Sequence, residues 1–350
     1  MPDIDSPSTT PTPDGRRLDV VAVGNALVDV LARTTDAEID RLGLVKGSMA
    51  LIDLVQSQSV YAAMGSTVEA SGGSAANTAA GVAALGGKAG YIGKVADDQL
   101  GGVFRHDITA TGVELGRMSP PAPSEEPGDE RATGHCLILV SEDGERTMAT
   151  HLGVAGTLGP EDLDEDLLGR SQIVYLEGYM WDQAPAKLAL RRAMEVAHSS
   201  DALVALTLSD SFCVTRHRRE FLDLLHGEID VLFANEEEVS LLFDASNFDA
   251  AVAAVEETGV LGALTRGAAG SVVVAASGPL AVGAEPVEHV IDTTGAGDLY
   301  AAGFLHGLTQ GFEPERCARL GGVCAGEVIS HFGARPQADL RKLALAADLS

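Results

Sequence analysis

Basic residues are scarce: 24 lysines and arginines stand against 51 acids, a formal charge of −27. A field of that sign repels nucleic acid and anionic membrane, so neither is expected as a partner. Any polyanionic ligand would need a metal ion and local donors to overcome it. Cysteine is sparse too. Cys136, Cys213, Cys317 and Cys324 form no Cys-x-x-Cys pair, and no histidine lies near them at zinc-finger spacing. All four are read as reduced thiols. No apolar run is long enough to span a membrane, and the first residues lack the charged-then-apolar pattern of a secretion signal. A cytoplasmic protein is the expectation. No Gly-x-Gly-x-x-Gly follows the first strand candidate, which excludes the dinucleotide fingerprint, and no repeat period is present.

What is there is an alternation of strands and helices. Residues 1–17, rich in Pro, Ser, Thr and Asp, are expected to form a disordered tail ahead of a domain over 18–350. Val20-Val21-Ala22-Val23 reads as a strand buried on both faces, and Ile173–Leu176, Leu203–Leu208, Val231–Ala234, Leu261–Thr265 and Val272–Ala275 follow as further candidates. Helices fit about Ala75–Leu85, Gln99–Thr111, Pro185–His198, Arg219–His226, Glu236–Phe243, Ala250–Glu257, Glu313–Ser330 and Asp339–Ala347. That order implies an α/β fold with a mainly parallel sheet covered by helices on both faces. Leu137–Val140 and Arg146–Thr150 flank Glu142-Asp143-Gly144, a hairpin signal that interrupts the alternation, and Ser119–Asp129, with four prolines, is an irregular loop.

The stretch with the most chemistry is Asp292-Thr293-Thr294-Gly295-Ala296-Gly297-Asp298. Val290 and Ile291 before it suit the end of a strand. Leu299, Ala301, Ala302, Leu305 and Leu308 after it recur at helical spacing, so a helix starts at about Gly297. A helix start presents unpartnered N–H groups, and glycine lets that backbone come close to a bulky anion. The result suits a phosphoryl group with one carboxylate, Asp298, at its edge. An acid that merely complements the helix dipole is the plainer alternative. Elsewhere, Asn25 and Asp29 follow the first strand, where sheets of this class bind ligands, although both also form turns. Gly72-Gly73 with Asn77 opens a helix, as ligand-facing amides or as a tight turn. Asn235 and Glu238 begin another helix, where acids are ordinary dipole partners. Thr265–Gly270 joins two strands, and Arg146 lies beyond the hairpin turn, free either to fold over a phosphate or to stay solvated.

The run from Asp292 through Leu299-Tyr300-Ala301-Ala302-Gly303-Phe304-Leu305 resembles the C-terminal signature of the ribokinase-like (PfkB) family of sugar and nucleoside kinases, and the likeness extends over about Leu18–Leu343. Gly24–Asp29, Gly72–Asn77 and Thr207–Phe212 bring it closest to the adenosine-kinase-like branch. The resemblance implies a three-layer α/β/α sandwich with a small β-sheet lid from about Val30–Ile52 and Arg131–Thr150. It implies that Asp298 takes the proton of the acceptor hydroxyl, that the N–H groups of Gly295, Ala296 and Gly297 form an anion hole, and that Arg146 adds a positive charge over the phosphates. Asn235 and Glu238 would help hold a hydrated Mg²⁺, with Thr265, Gly267, Gly270 and Thr293 at the nucleotide. Asn25, Asp29, Gly72, Gly73 and Asn77 would hold ribose hydroxyls, and Phe212 would lie against a base with Tyr179 or Met180 nearby. A monovalent cation, K⁺, would sit near Asp292 and Gly333. The sequence departs from the family in two places: Ala26 stands where a proline follows the Gly-Asn pair, and Met49 where a glutamine contacts the base. The implied reaction is ATP-dependent phosphorylation of a nucleoside 5′-hydroxyl, adenosine first. A sugar acceptor such as ribose or fructose and a non-catalytic ligand-binding member of the fold are the rivals, as a monomer or homodimer.

Overall fold

Uninterrupted apolar runs become the inner strands of a nine-stranded sheet, because a strand covered on both faces has no side for polar residues. The computed structural model describes residues 17–118 and 131–349. In chain order these form β1 (Leu18–Val23), β2 (Leu27–Arg33), α1 (Asp36–Arg41), β3 (Met49–Leu51), α2 (Leu54–Ala63), β4 (Val68–Gly72), α3 (Ser74–Ala84), β5 (Ala89–Ile92), α4 (Gln99–Ala110), β6 (Glu114–Leu115), β7 (Gly134–Val140) and β8 (Arg146–His151). The second half adds α5 (Glu165–Gly169), β9 (Ser171–Glu177), α6 (Ala184–Ser199), β10 (Leu203–Thr207), α7 (Ser211–Leu224), β11 (Val231–Asn235), α8 (Glu236–Phe243) and α9 (Phe248–Thr258). Then come β12 (Leu261–Thr265), β13 (Ser271–Ala275), β14 (Gly278–Val282), α10 (Ala296–Thr309), α11 (Pro314–Val328) and α12 (Leu340–Ala346).

The large sheet runs β14-β13-β12-β11-β10-β9-β1-β5-β6. It is parallel from β6 to β12 and antiparallel only at the β12/β13 and β13/β14 pairs. β1 lies between β5 and β9, with Val20 opposite both Ala89 and Ile173, so strand order reverses there and a crevice opens beyond the strands' carboxyl ends. One face is packed by α3, α4, α10, α11 and α12, the other by α5 to α9. The small sheet, β3-β8-β7-β2-β4, stands over that crevice. Among the described residues, no helix is long and apolar enough to cross a membrane, and all four cysteines are free and buried.

The α/β expectation holds, with local differences. β4 and α2 lie outside the expected elements: Val-Glu-Ala-Ser-Gly lacks a clear alternation, while α2 starts at a capping box of Asp53 and Gln56. α7 begins at Ser211, eight residues ahead of the expected Arg219, capped by Asp210. Val290 and Ile291 are not in a strand. Both are exposed, 59% and 46%, on the segment that crosses from β14 to α10. The expected tail falls outside the described residues except at Arg17, and the expected loop at 119–129 falls wholly outside.

Candidate active site

Two elements meet to make the centre of the site. α10 starts at Ala296 with Gly295 as its cap in the left-handed region, φ 78°. A Cβ on Gly295 would stand 2.7 Å from that of Ala334, so only glycine serves there. The turn partly consumes its own amides. Ala296 N–H donates to Thr293 O (3.2 Å), which takes it out of the expected anion hole. The amides of Gly295, Gly297 and Asp298 engage no backbone carbonyl among the described residues. Gly297 faces open space. Crossing α10 is α3, brought close by Gly81, where a Cβ would be 2.6 Å from that of Ala302. Its first turn grips Asp298: Ser74 Oγ donates to Asp298 Oδ1 (2.6 Å) and Asn77 Nδ2 to Oδ2 (2.9 Å). Asp298 is half-buried and in no ion pair among the described residues. Burial raises its carboxyl above the usual range, against the pull of those two bonds and of Arg335.

Beside this pair lies a polar cradle. Asn25 ends the β1 turn, and its N–H and Nδ2 both donate to Glu177 Oε1 (2.8 Å each), while Ala75 N–H donates to Glu177 Oε2 (2.9 Å). Glu177 is buried, which pushes its carboxyl up to about 7. Asp29, on β2, is pushed by burial to about 6, with Arg335 and Arg146 acting against. Gly72 and Gly73 make the room. A Cβ on Gly72 would meet Asp29 Cγ at 2.3 Å, and one on Gly73 would meet Asn25 O at 2.3 Å. Asn77 Oδ1 is buried and has no hydrogen-bond partner; a buried acceptor left open suits a ligand hydroxyl.

These residues line one cleft of about 880 Å³, which also takes in Arg146, Met49, Tyr179, Asn235, Glu238, Thr265, Thr293 and the 295–298 turn. Arg146, from β8, is buried and paired with Asp292, with its Nε and Nη1 unpartnered. Asp292 also accepts from Thr294 N–H (3.0 Å) and from Gly333 N–H (2.8 Å), so the two residues near which the resemblance puts a monovalent cation are joined directly. Asn235 and Glu238 form a reciprocal cap: Glu238 N–H to Asn235 Oδ1 (2.9 Å), Asn235 N–H to Glu238 Oε2 (3.0 Å), and Nδ2 to Oε1 (2.7 Å). No group of three or more His, Cys, Asp or Glu suited to a metal exists among the described residues. An ion beside the Asn235–Glu238 pair would therefore have to keep its waters and take other ligands from phosphates.

Five expected contact residues do not line the cleft. Phe212 is 67% exposed in the first turn of α7 and does not line the cleft. Met180 is buried in the core behind it. Gly72 serves by clearing Asp29. Gly267 and Gly270 shape the β12–β13 turn, with φ of 54° and 84°, without lining the cleft. Reasoning from sequence missed Glu177, a lone acid closing the apolar run Ile173–Leu176 where ligand groups gather. It also missed Ser74 and the apolar face of the small sheet at Leu27, Ile138 and Met148, and Arg335, which bonds Ser71 and Ala76 behind the cleft wall.

The model of the family described as pfkB family carbohydrate kinase matches residues 38–340. The fold is similar to a solved adenosine kinase from Sinorhizobium meliloti, 47% identical, TM-score 0.88, covering 95% of this chain and 99% of that one. It is similar also to a probable sugar kinase from Rhizobium etli CFN 42, 44% identical, TM-score 0.89, with the same coverage. Among curated proteins, an ATP-dependent ribose-1-phosphate kinase from Halopiger xanaduensis is 32% identical over 81% of this chain and 87% of its own length.

Proposed function

Because the chain belongs to the pfkB family of carbohydrate kinases, phosphotransferases that act on sugar or nucleoside hydroxyls, we propose that its acceptor is a nucleoside, adenosine first, phosphorylated at the 5′-hydroxyl. One observation carries this reading: the acceptor end of the cleft has two unlike walls. Asn25, Asp29 and Asn77 offer donors and acceptors suited to a diol, and Leu27, Met49, Ile138 and Met148 of the small sheet offer an apolar surface suited to a flat base. The charge of the lining points the same way. Among the described residues, Asp29, Glu145, Glu177, Asp182, Glu238, Asp292 and Asp298 line the cleft against one lining cation, Arg146, which is already paired. An anionic acceptor such as a sugar phosphate would be repelled, and a neutral one would not.

In the transfer, the 5′-hydroxyl is set against Asp298, whose two oxygens are held by Ser74 and Asn77. As the hydroxyl oxygen bonds to the γ-phosphorus of ATP, its proton passes to Asp298. The bond from that phosphorus to the β,γ-bridging oxygen breaks, its electron pair leaving with ADP. The open amides of Gly295, Gly297 and Asp298 meet the charge on the moving phosphoryl oxygens. Kinases of this family use ATP with Mg²⁺; the ion, near Asn235 and Glu238, would supply positive charge to the phosphates. The small sheet over the cleft keeps out water, which would otherwise compete as acceptor.

Coupled ADP detection over a panel of nucleosides, free sugars and sugar phosphates tests the acceptor. Turnover with adenosine well above ribose and ribose 1-phosphate is expected, and turnover of free sugars alone would remove the proposal. Asp298→Asn is expected to lower turnover about a thousandfold, the usual worth of a positioned base; near-normal turnover would deny Asp298 its role.

A further inference from the structure

One cation beside the cleft belongs to no motif. Arg335, in the segment between α11 and α12, sends its guanidinium under the Gly72-Gly73 turn. Nε and Nη2 donate to Ser71 O (3.2 and 3.1 Å), Nη2 also to Ser71 Oγ (2.9 Å), and Nη1 to Ala76 O (2.6 Å). All of these acceptors are neutral. A guanidinium bonded this way keeps its whole charge, and burying it is costly unless negative groups stand near. They do: Asp29, Asp107 and Asp298 all act on it electrostatically. Asp107 is spent on Ser71 N–H (2.8 Å). The same short segment reaches the phosphate side, since Gly333 N–H holds Asp292 and Ala334 packs on Gly295.

We propose that Arg335 is a positioning residue of the transfer reaction: it locks the Gly72-Gly73 turn to the first turn of α3 and gives Asp29 and Asp298 a standing positive neighbour. This rests on Asp298 being the base. Asp298 faces Ser74 and Asn77 from α3, Asp29 from β2, Glu177 and Tyr175 from β9, Tyr179 beyond β9, and Arg335. Three carboxylates therefore share this corner, and Arg335 is the cation that acts on Asp298. Remove it and repulsion within the corner raises the Asp298 carboxyl further, so that more of it carries a proton at a given pH. A base that already carries a proton cannot take another from the hydroxyl.

The test compares Arg335→Met and Arg335→Lys by two readouts. The first is the ¹³C-carboxyl titration of Asp298 in the unliganded protein, assigned with Asp298→Asn. The second is the pH profile of turnover with ATP and adenosine. In Arg335→Met the Asp298 midpoint is expected to rise by about one pH unit, with the acid limb of kcat moving alongside. Arg335→Lys keeps the charge but cannot reach Ser71 and Ala76 together. Its midpoint should stay in place while kcat falls about tenfold for the lost contacts. A folded Arg335→Met with an unmoved Asp298 midpoint overturns the proposal. If the methionine variant does not fold, Arg335→Lys decides, and wild-type kinetics there overturn it equally. Normal turnover in Asp298→Asn would instead sink the base assignment, and the carboxyl titration separates the two failures because it needs no acceptor.

Discussion

Glu177 spends both carboxylate oxygens on three N–H donors, and a proton on either oxygen would set a donor against a donor. Burial raises its carboxyl to about 7 and that of Asp29 to about 6. Each is raised above its ordinary value, so each loses its charge as pH falls through that raised value, and Asn25 loosens as Glu177 is protonated. The acceptor KM is accordingly expected to climb as pH drops from about 7 to about 6. Glu177→Gln, whose amide must face Ala75 N–H or Asn25, should raise that KM about tenfold or more and remove most of the pH dependence. Initial rates at varied acceptor and pH check both. At this scale Asp298, Gly295 and Gly297 were legible because their order along the chain is itself the signal. Glu177 meets Asn25 from 152 residues away and Arg335 meets Ser71 from 264, distances at which neighbouring letters carry no trace of a contact. Phe212 was expected at a base only from the family resemblance, but Asp210 caps α7 just ahead of it and the ring is exposed in the first turn.

Among elements, the crossing of α3 and α10 decides how Asp298 is held. Gly81 permits that approach, and a methyl there would also stand 2.8 Å from Leu299 Cδ1. Gly81→Ala is expected to cost about 1–3 kcal/mol of stability by overpacking. It should lower kcat more than it raises the acceptor KM, since Ser74 and Asn77 shift away from Asp298; denaturant unfolding beside steady-state kinetics reads both. Inner strands such as β1, β9 and β11 were legible because burial on both faces leaves a purely apolar run. β4 and β14 were not. β4 edges the small sheet and β14 the large one, and Gly-Pro-Leu-Ala-Val mixes turn residues with partly exposed positions, so no alternation marks it. The exposed pair Val290-Ile291 carries the opposite lesson: apolar letters that line a cleft look like a strand until their neighbours are known.

At the scale of the molecule, the charge of −27 and the acid-rich lining oppose the approach of a nucleoside triphosphate but not of a neutral alcohol. Added salt screens that repulsion beyond about 10 Å at 0.1 M. Raising KCl should therefore lower the KM for ATP while leaving the acceptor KM nearly level. Equal falls in both would indicate an anionic acceptor. The overall layering was legible from the rhythm of strands and helices alone, but the join between the two sheets was not. Only Gly24, Asn25 and Ala26 separate β1 in the floor from β2 in the roof, and Asp29 hangs from that roof. Raising the roof must carry one finger of the grip away with it. A captured alcohol would then be freed by the same movement that admits the next one, so gripping and enclosure are a single act.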